Sequence, residues 1–216
     1  MKIPIKGTII PNDYKDIYDW FGYESTSPND VEAALEKANG ESIEVEINSG
    51  GGEIFAGSEI YSKIKAYAGN KIIEIVGLAG SAASVIAMAA KSRIYPAAMM
   101  MIHNVASTAS GDFNAHNHEA EILLEANKAI ANAYEAKTGK TQDELLELMN
   151  AETWMNAKTA LENGFVDEMA DGILMNGFGC RILTEAEIRE ARAEIENENK
   201  RKIERERLSL KKMEVI

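Results

Sequence analysis

The chain has 216 residues and a net charge of −12, with 45% hydrophobic and 27% charged residues. This length and composition suit one globular domain, or one domain with an appendage, and they exclude a disordered protein. The acidic excess lies in residues 1–183, which carry 26 acidic and 14 basic side chains, whereas residues 184–216 carry nine of each. A surface this acidic repels phosphate backbones, so no nucleic acid is expected as a partner.

Neither a membrane span nor an export signal is expected. The longest apolar stretch, Ile72–Ala90, is interrupted by Glu74 and by glycines and serines, so it is too polar to cross a bilayer. Pro11 arrives before any signal-peptide core has formed. Cys180 is the only cysteine, which excludes an internal disulfide and fits a reducing compartment. We therefore expect a cytoplasmic protein.

The first half of the chain alternates strand and helix patterns. Strands are predicted at Ile3–Ile10, Ile43–Ile47, Lys71–Val76, Ile94-Tyr95 and Met99–Ile102, and helices at 28–38, 54–67 and 81–90. The glycine-rich segments 50–52 and 77–80 are predicted to be turns. This alternation predicts an α/β fold with a largely parallel sheet and right-handed crossovers.

The second half is predicted to be mainly helical. A long helix is expected from Asp112 to about residue 138, and a capping box at Thr141 begins the next helix. A short helix over 157–163 should end at Gly164, with extended structure at Phe165-Val166. A second capping box at Thr184 opens a charged helix. The predicted organisation is a globular domain over residues 1–183 and a charged helical extension over 184–216.

Two small-residue segments each follow a predicted strand and lead into a helix. The first, Ile47–Gly52, either directs backbone N–H groups at an oxyanion or a substrate strand, or forms a tight turn. The second, Gly77–Ala83, places Ser81 at a helix start. There the hydroxyl is either a helix cap or a nucleophile at the positive end of the helix dipole. Neither segment alone decides between its alternatives.

Two further side chains are catalytic candidates. His103 follows the predicted Met99–Ile102 strand and is either a hydrogen-bonded core histidine or a general base. Glu152 lies at a break between predicted helices, where it either orients an imidazole or is simply an exposed acid. His116 and His118 are two positions apart on a helix and share no face, so no metal site is expected.

The segment Thr138–Thr141 looks like the end of a phosphate-binding loop. The first glycine of that motif would fall on Tyr134, and no other segment supplies it. We therefore expect no nucleotide site and no cofactor.

Taken together, these segments resemble the proteolytic subunit of Clp protease (ClpP). Members of that family carry I-N-S-P-G-G, G-x-A-A-S, M-I-H and G-L-V-D motifs. The matching segments here are Ile47–Gly52, Gly77–Ser81, Met101–His103 and Gly164–Asp167. The resemblance covers about residues 40–170, and four motifs in order are specific although each alone is weak. Gly50 replaces the family's proline, which loosens that turn.

The resemblance implies a serine peptidase. By the motif positions Ser81 is the nucleophile and His103 is the general base. The backbone N–H groups of Gly52 and Ala82 would form the oxyanion hole.

The substrate-binding residues and the third catalytic residue are likewise implied by the resemblance. Gly50 and Gly51 would bind the substrate backbone as an added strand. The family's aspartate falls on Glu152, whose extra methylene changes its reach. Asp167 is the alternative acid within the motifs.

The same resemblance implies a fold and an assembly. The fold is the repeated β-β-α superhelix that ClpP shares with crotonases. The helix over about 112–138 corresponds to the family's handle, which joins two rings face to face. The expected partners are a protein or peptide substrate and further copies of the chain, in a heptameric ring or double ring.

A short N-terminal segment and a charged tail are similar to the ClpP-like head-maturation proteases of phages and prophages. That resemblance implies cleavage of unfolded or assembly-presented proteins, such as a prohead scaffold, with capsid or portal proteins as partners. The alternative is a housekeeping Clp subunit that works with an AAA+ unfoldase. Two other classes stay open: a crotonase-type acyl-CoA enzyme, and a non-catalytic ring component.

Overall fold

The computed structural model describes residues 1–170 and, beyond them, residues 189, 192, 193, 200 and 201. The first compact unit is Met1–Gly172. In the second unit, Ile173–Ile216, the five described residues are helical and exposed. The predicted domain boundary after residue 183 and the helix start at Thr184 lie outside the described residues and stay predictions.

Strands and helices alternate through residues 1–170. The strands are β1 (Lys2–Ile9), β2 (Ser25–Thr26), β3 (Ile43–Gly52), β4 (Lys71–Gly80), β5 (Lys91–Ile94), β6 (Met99–Ile102), β7 (Thr153–Asn156) and β8 (Glu168–Met169). The α-helices are α1 (Lys15–Phe21), α2 (Pro28–Ala38), α3 (Ile54–Ala66), α4 (Ala82–Ala87), α5 (Phe113–Thr138), α6 (Gln142–Asn150) and α7 (Ala157–Glu162). A short 3-10 helix at Asn12–Tyr14 precedes α1.

The strands form one sheet in the order β2-β1-β3-β4-β5-β8. Every pair along this path is parallel. β6 pairs in parallel with the carboxyl end of β4, and β7 pairs with β6 antiparallel. The prediction of a mixed α/β fold with a largely parallel sheet is confirmed.

One face of the sheet is apolar and supplies the core. Alternate residues of the three central strands are fully buried there: Ile3, Ile5, Val45, Ile47, Ile73 and Ile75. Each contributes about 1.5–3 kcal/mol of transfer free energy by leaving water. On the other face the central Glu74 is buried and pairs with Arg93 across β4 and β5. The alternation therefore fixes which face of each strand meets the helices.

Local sequence signals determine where several helices begin. Ser27 caps α2 with a reciprocal capping box to Asp30, and Pro28 occupies the first turn. Asp112 accepts from the backbone at the start of the 26-residue α5. Thr141 forms the predicted capping box with Glu144 at α6. These three predicted helix starts are confirmed.

Other predictions about the elements were wrong. The glycine segments 50–52 and 77–80 are not turns but continue β3 and β4, with a register shift after Ile47. The helix predicted over 81–90 is shorter, and Phe165-Val166 is not a strand. Three short elements, α1, β2 and β7, were not predicted from the sequence, and the two strands have only two and four residues.

Candidate active site

Three strands end side by side where the chemistry-bearing motifs lie. β3 ends at Gly52, β4 ends directly before Ser81, and β6 ends directly before His103. Because these strands are parallel, their carboxyl ends meet at the same edge of the sheet, which is where α/β folds bind ligands. The Ser81 N–H donates to the Met101 carbonyl at 2.8 Å and ties the start of α4 to β6.

Ser81 has a strained backbone conformation between β4 and α4. Its φ is 51° and its ψ is −124°, a region that residues with a Cβ rarely adopt. Its side chain makes no capping hydrogen bond to α4. The alternative that this hydroxyl only caps the helix is therefore wrong.

The Ser81 hydroxyl instead faces the imidazole of His103. Oγ lies 2.8 Å from Nε2, and both residues are half-buried. This is the distance expected between a nucleophile and its general base. In the tautomer with the proton on Nδ1, Nε2 accepts the hydroxyl proton. The structure brings these two predicted residues together.

Gly51 lies against the start of α4 where a side chain has no room. A Cβ added to it would lie 2.7 Å from the Gly80 carbonyl oxygen and from Ser81 Cβ, and 3.0 Å from the Ala82 nitrogen. Its φ of 101° also favours glycine. The carboxyl end of β3 therefore approaches the nucleophile backbone to backbone.

The other glycines of β3 have different surroundings. Gly52 packs so closely on β1 that an added Cβ would lie 2.1 Å from the Ile9 carbonyl oxygen. The Gly51 N–H donates to Ser49 Oγ at 3.0 Å, so it is already used. Gly50 is exposed, with open space where a side chain would stand. The assignments of Gly52 and Ala82 to an oxyanion hole, and of Gly50 and Gly51 to substrate, stay predictions.

Glu152 lies in the turn between α6 and β7. Its carboxylate accepts from Trp154 Nε1 at 3.1 Å, and among the described residues it has no hydrogen bond to His103. The antiparallel pairing of β6 with β7 ends at Ile102 and Thr153, so His103 and Glu152 each lie one residue beyond the same end of this strand pair. The structure does not join their side chains, and the role of Glu152 stays a prediction.

Asp167, the alternative acid, lies elsewhere. Its Oδ2 accepts from the Ser92 N–H at 2.7 Å and forms an ion pair with Lys137. Partial burial acts to raise the pKa of Asp167, but the Lys137 and Ser92 contacts outweigh it and hold that pKa below its ordinary value. Asp167 therefore fastens the carboxyl end of α5 to β5.

Two side chains behind the nucleophile were not predicted from the sequence. The Ser84 hydroxyl lies 2.6 Å from the Ser81 carbonyl oxygen and 2.7 Å from the Tyr134 hydroxyl. A serine in a small-residue helix gives no sequence signal for such a role. Tyr134 entered the sequence analysis only as the position that breaks a phosphate-loop pattern.

Residues 1–170, together with the five described positions beyond them, hold no cluster of three side chains able to ligate a metal ion. In the same part of the chain, no helix is both long enough and apolar enough to span a membrane.

Comparison with known families decides the classification. Residues 31–172, about two thirds of the chain, match the Clp protease family. The chain belongs to this family. Its members are peptidases, so this membership favours a peptidase over the acyl-CoA enzyme considered from sequence.

Individual relatives show the same pattern. The chain is 30% identical over 133 residues to the ATP-dependent Clp protease proteolytic subunit 2 of Tropheryma whipplei, covering 60% of this chain and 73% of the relative. It is 29% identical over 171 residues to proteolytic subunit 1 of Leifsonia xyli, covering 74% and 86%. Among solved structures, a variant of ClpP1 from Listeria monocytogenes matches with a TM-score of 0.65 at 20% identity, covering 80% and 92%. That structural match supports the ClpP-like fold.

Proposed function

We propose that this Clp-family protein is a serine endopeptidase with Ser81 as nucleophile and His103 as general base. The observation that carries the proposal is the 2.8 Å contact between Ser81 Oγ and His103 Nε2. It is reinforced by the strained Ser81 backbone, which turns the hydroxyl away from the helix it precedes.

The reaction is acyl transfer in two halves. His103 Nε2 takes the Ser81 proton while Oγ bonds to the peptide carbonyl carbon, and the tetrahedral intermediate collapses with breakage of the C–N bond. The imidazolium gives its proton to the leaving amine. Water then attacks the acyl-enzyme, with His103 taking its proton, and Ser81 is regenerated as the carboxylic acid leaves.

The Gly52 and Ala82 N–H groups stabilise the oxyanion in this proposal. Gly51 allows β3 to approach the start of α4 closely, because a Cβ at this position would clash with Gly80 and Ser81. Removing one such donor from a serine peptidase costs roughly 10²–10³ in turnover. Gly50, beside this site, has the open space that an extended substrate needs.

Glu152 would hold the Nδ1 proton of His103. The support for this role is that both residues adjoin the last β6–β7 pair, Ile102 with Thr153. In the structure this carboxylate accepts from the Trp154 indole N–H through Oε1.

For the substrate, we propose unfolded or assembly-presented proteins cleaved inside a ring of identical chains. Phage prohead maturation rests on the sequence resemblance alone. The second candidate, a subunit serving an AAA+ unfoldase, is favoured by the relatives in Tropheryma and Leifsonia, which are named proteolytic subunits of ATP-dependent proteases. Degradation of a tagged folded protein with and without a bacterial Clp unfoldase and ATP separates the two. Robust ATP-dependent degradation would favour the second.

The nucleophile itself is tested with a fluorophosphonate probe. We expect one phosphonylated residue, Ser81, by peptide mapping, and no labelling or casein cleavage in Ser81→Ala. Because Ser81 makes no capping hydrogen bond, that variant should retain its thermal stability. Labelling that persists in Ser81→Ala would refute the assignment, and an unlabelled wild type without turnover would favour the non-catalytic ring component.

A further inference from the structure

Three hydroxyl and carbonyl groups connect α5 to the back of the nucleophile. The Tyr134 hydroxyl lies 2.7 Å from Ser84 Oγ, which lies 2.6 Å from the Ser81 carbonyl oxygen. The Ser84 side chain is fully buried and Tyr134 is 1% exposed. Tyr134 and Ser84, which this buried chain of hydrogen bonds joins, are 50 residues apart in the sequence.

The direction of each hydrogen bond follows from the donors available. The Ser81 carbonyl can only accept, so the single Ser84 hydroxyl proton must go to it. Ser84 Oγ then has only lone pairs to offer, and the Tyr134 O–H must donate to it. Burial raises the pKa of the Tyr134 hydroxyl well above its usual range, although the Ser84 contact lowers it slightly, so the hydroxyl keeps its proton.

The carbonyl at the end of this chain belongs to a peptide group that matters for catalysis. The Ser81 C=O and the Ala82 N–H are the two ends of one planar trans peptide. Ala82 N–H is one of the two proposed oxyanion donors. Hydrogen bonds to the oxygen of a peptide draw electron density from its nitrogen and make its N–H a stronger donor.

We propose that Tyr134 and Ser84 are positioning residues that orient and polarise the Ser81–Ala82 peptide for oxyanion stabilisation. The inference rests on the proposed serine-peptidase function and deepens it. The Ser81 oxygen also accepts from the Ser84 N–H at 2.9 Å and from the Val85 N–H at 3.4 Å, as a helix start provides. The Ser84 hydroxyl adds a third and shorter hydrogen bond from a side chain, and Tyr134 strengthens it through the cooperativity of linked hydrogen bonds.

Tyr134 is the outer end of this hydrogen-bonded relay from Tyr134 through Ser84 to Ser81, and its surroundings hold it in place. The Tyr134 ring packs edge-to-face on the fully buried Phe165, with centroids 5.6 Å apart. Its backbone carbonyl accepts from Thr138 Oγ1 at 2.8 Å. Because the Tyr134 side chain has so little freedom, its hydrogen bond keeps the Ser84 side chain in one rotamer. That rotamer in turn keeps the Ser84 hydroxyl on the carbonyl oxygen of the strained Ser81.

The test compares Tyr134→Phe, Ser84→Ala and the double variant on a peptide substrate. We expect kcat to fall about three- to tenfold in Tyr134→Phe and about tenfold or more in Ser84→Ala, with KM unchanged. The double variant should match Ser84→Ala, since the relay is already broken there. A peptide aldehyde, which forms an oxyanion on Ser81, should lose affinity by the same factors as kcat/KM, while a cleaved product peptide should not.

Matched controls separate positioning from general loss of packing. Tyr67→Phe removes a tyrosine hydroxyl bonded to the Glu41 carbonyl, and Ser92→Ala removes a fully buried serine hydroxyl beside Asp167. Both should lower the melting temperature slightly and leave kcat unchanged. Wild-type kcat in Ser84→Ala, or equal losses in relay and control variants, would overturn the relay. A wild type that reacts with neither substrate nor fluorophosphonate would overturn the proposed function and the relay with it.

Discussion

His103 has a described hydrogen-bond partner on only one of its two ring nitrogens. Nε2 faces Ser81, whereas the Glu152 carboxylate, at the same end of the β6–β7 pair, accepts from Trp154. If Glu152 moves to Nδ1 during catalysis, Glu152→Gln should favour the wrong imidazole tautomer and lower kcat by about four orders of magnitude, as a matching change does in another serine peptidase. Steady-state kinetics on a peptide substrate measures this.

Trp154→Phe is the matched control for that prediction. It removes the indole N–H that holds the carboxylate and keeps an aromatic ring at an exposed position. We expect turnover to stay the same or to rise, because Glu152 is then free to reach His103. Equal and small effects of Glu152→Gln and Trp154→Phe would instead show that the two residues only brace the turn before β7.

For the individual catalytic residues, Ser81 and His103 could be identified from the sequence, but their geometry could not. Their motifs mark them, yet no local pattern indicates the positive φ of Ser81 or its contacts with β3 and β6. The pairing of Ser84 with Tyr134 joins residues with no shared motif, and only tertiary packing brings them together.

Among the elements, the carboxyl end of β3 has the least tolerance for change. In Gly51→Ala the new Cβ would meet the backbone of Gly80 and the side chain of Ser81 within 2.7 Å. We expect the nucleophile to shift and kcat/KM to fall about 100-fold, the usual cost of misplacing a reacting group by an ångström. Thermal unfolding should show a loss of about 1–3 kcal/mol from the strained φ and the clash.

Gly139→Ala controls for backbone strain alone. Gly139 caps α5 at a φ of 71°, with no atom within 4 Å of an added Cβ. It should lose stability to a similar strain but keep its turnover. Normal turnover in Gly51→Ala would contradict the close approach of β3 to the nucleophile.

The junction of α5 with β5 should make stability depend on pH. Asp167 has a lowered pKa in the folded protein, so its contribution is fully present above the unfolded value of about 3.9 and is lost as the pH falls through the folded value. Asp167→Asn should therefore lower the melting temperature by a few °C at pH 7. The difference from wild type should vanish below the folded pKa of Asp167.

Asp13→Asn is the control, because Asp13 is exposed within the 3-10 helix and forms no ion pair within the described part of the chain. Its melting temperature should follow wild type at every pH. A difference between Asp167→Asn and wild type that persisted undiminished into strong acid would mean that packing, not charge, fastens this junction.

How far the elements could be predicted depended on what determines each one. Capping residues such as Ser27 and Thr141 act within their own helix, so the sequence was enough. The segments 50–52 and 77–80 look like turns because glycine favours turns, but pairing with neighbouring strands keeps them extended. β7 forms because it pairs with β6, and no pattern within its own four residues indicates that pairing.

For the whole molecule, α5 extends well beyond the core that it joins. Buried residues begin only at Asn127, and the first half of the helix exposes Phe113, Ile122 and Leu124 at 75%, 44% and 60%. A single chain has nothing within its described part to cover these side chains. Exposed apolar groups on one helix are typical of a protein–protein interface, which supports the assembly that the family resemblance implies.

We therefore predict that Ile122→Lys combined with Leu124→Lys prevents assembly and leaves the fold intact. Neither side chain belongs to the buried core of the single chain, so circular dichroism and the melting curve of dilute protein should change little. Light scattering should show a cyclic oligomer for wild type, seven-membered by family resemblance, and smaller species for the double variant. Glu125→Lys, on the same half of the helix, breaks only an exposed pair with Lys128 and should assemble normally. A wild type that stays monomeric at micromolar concentration, or a double variant that assembles like wild type, would show that this half of α5 is not an interface. The ring proposed to enclose unfolded substrates would then have to form through another surface of the chain.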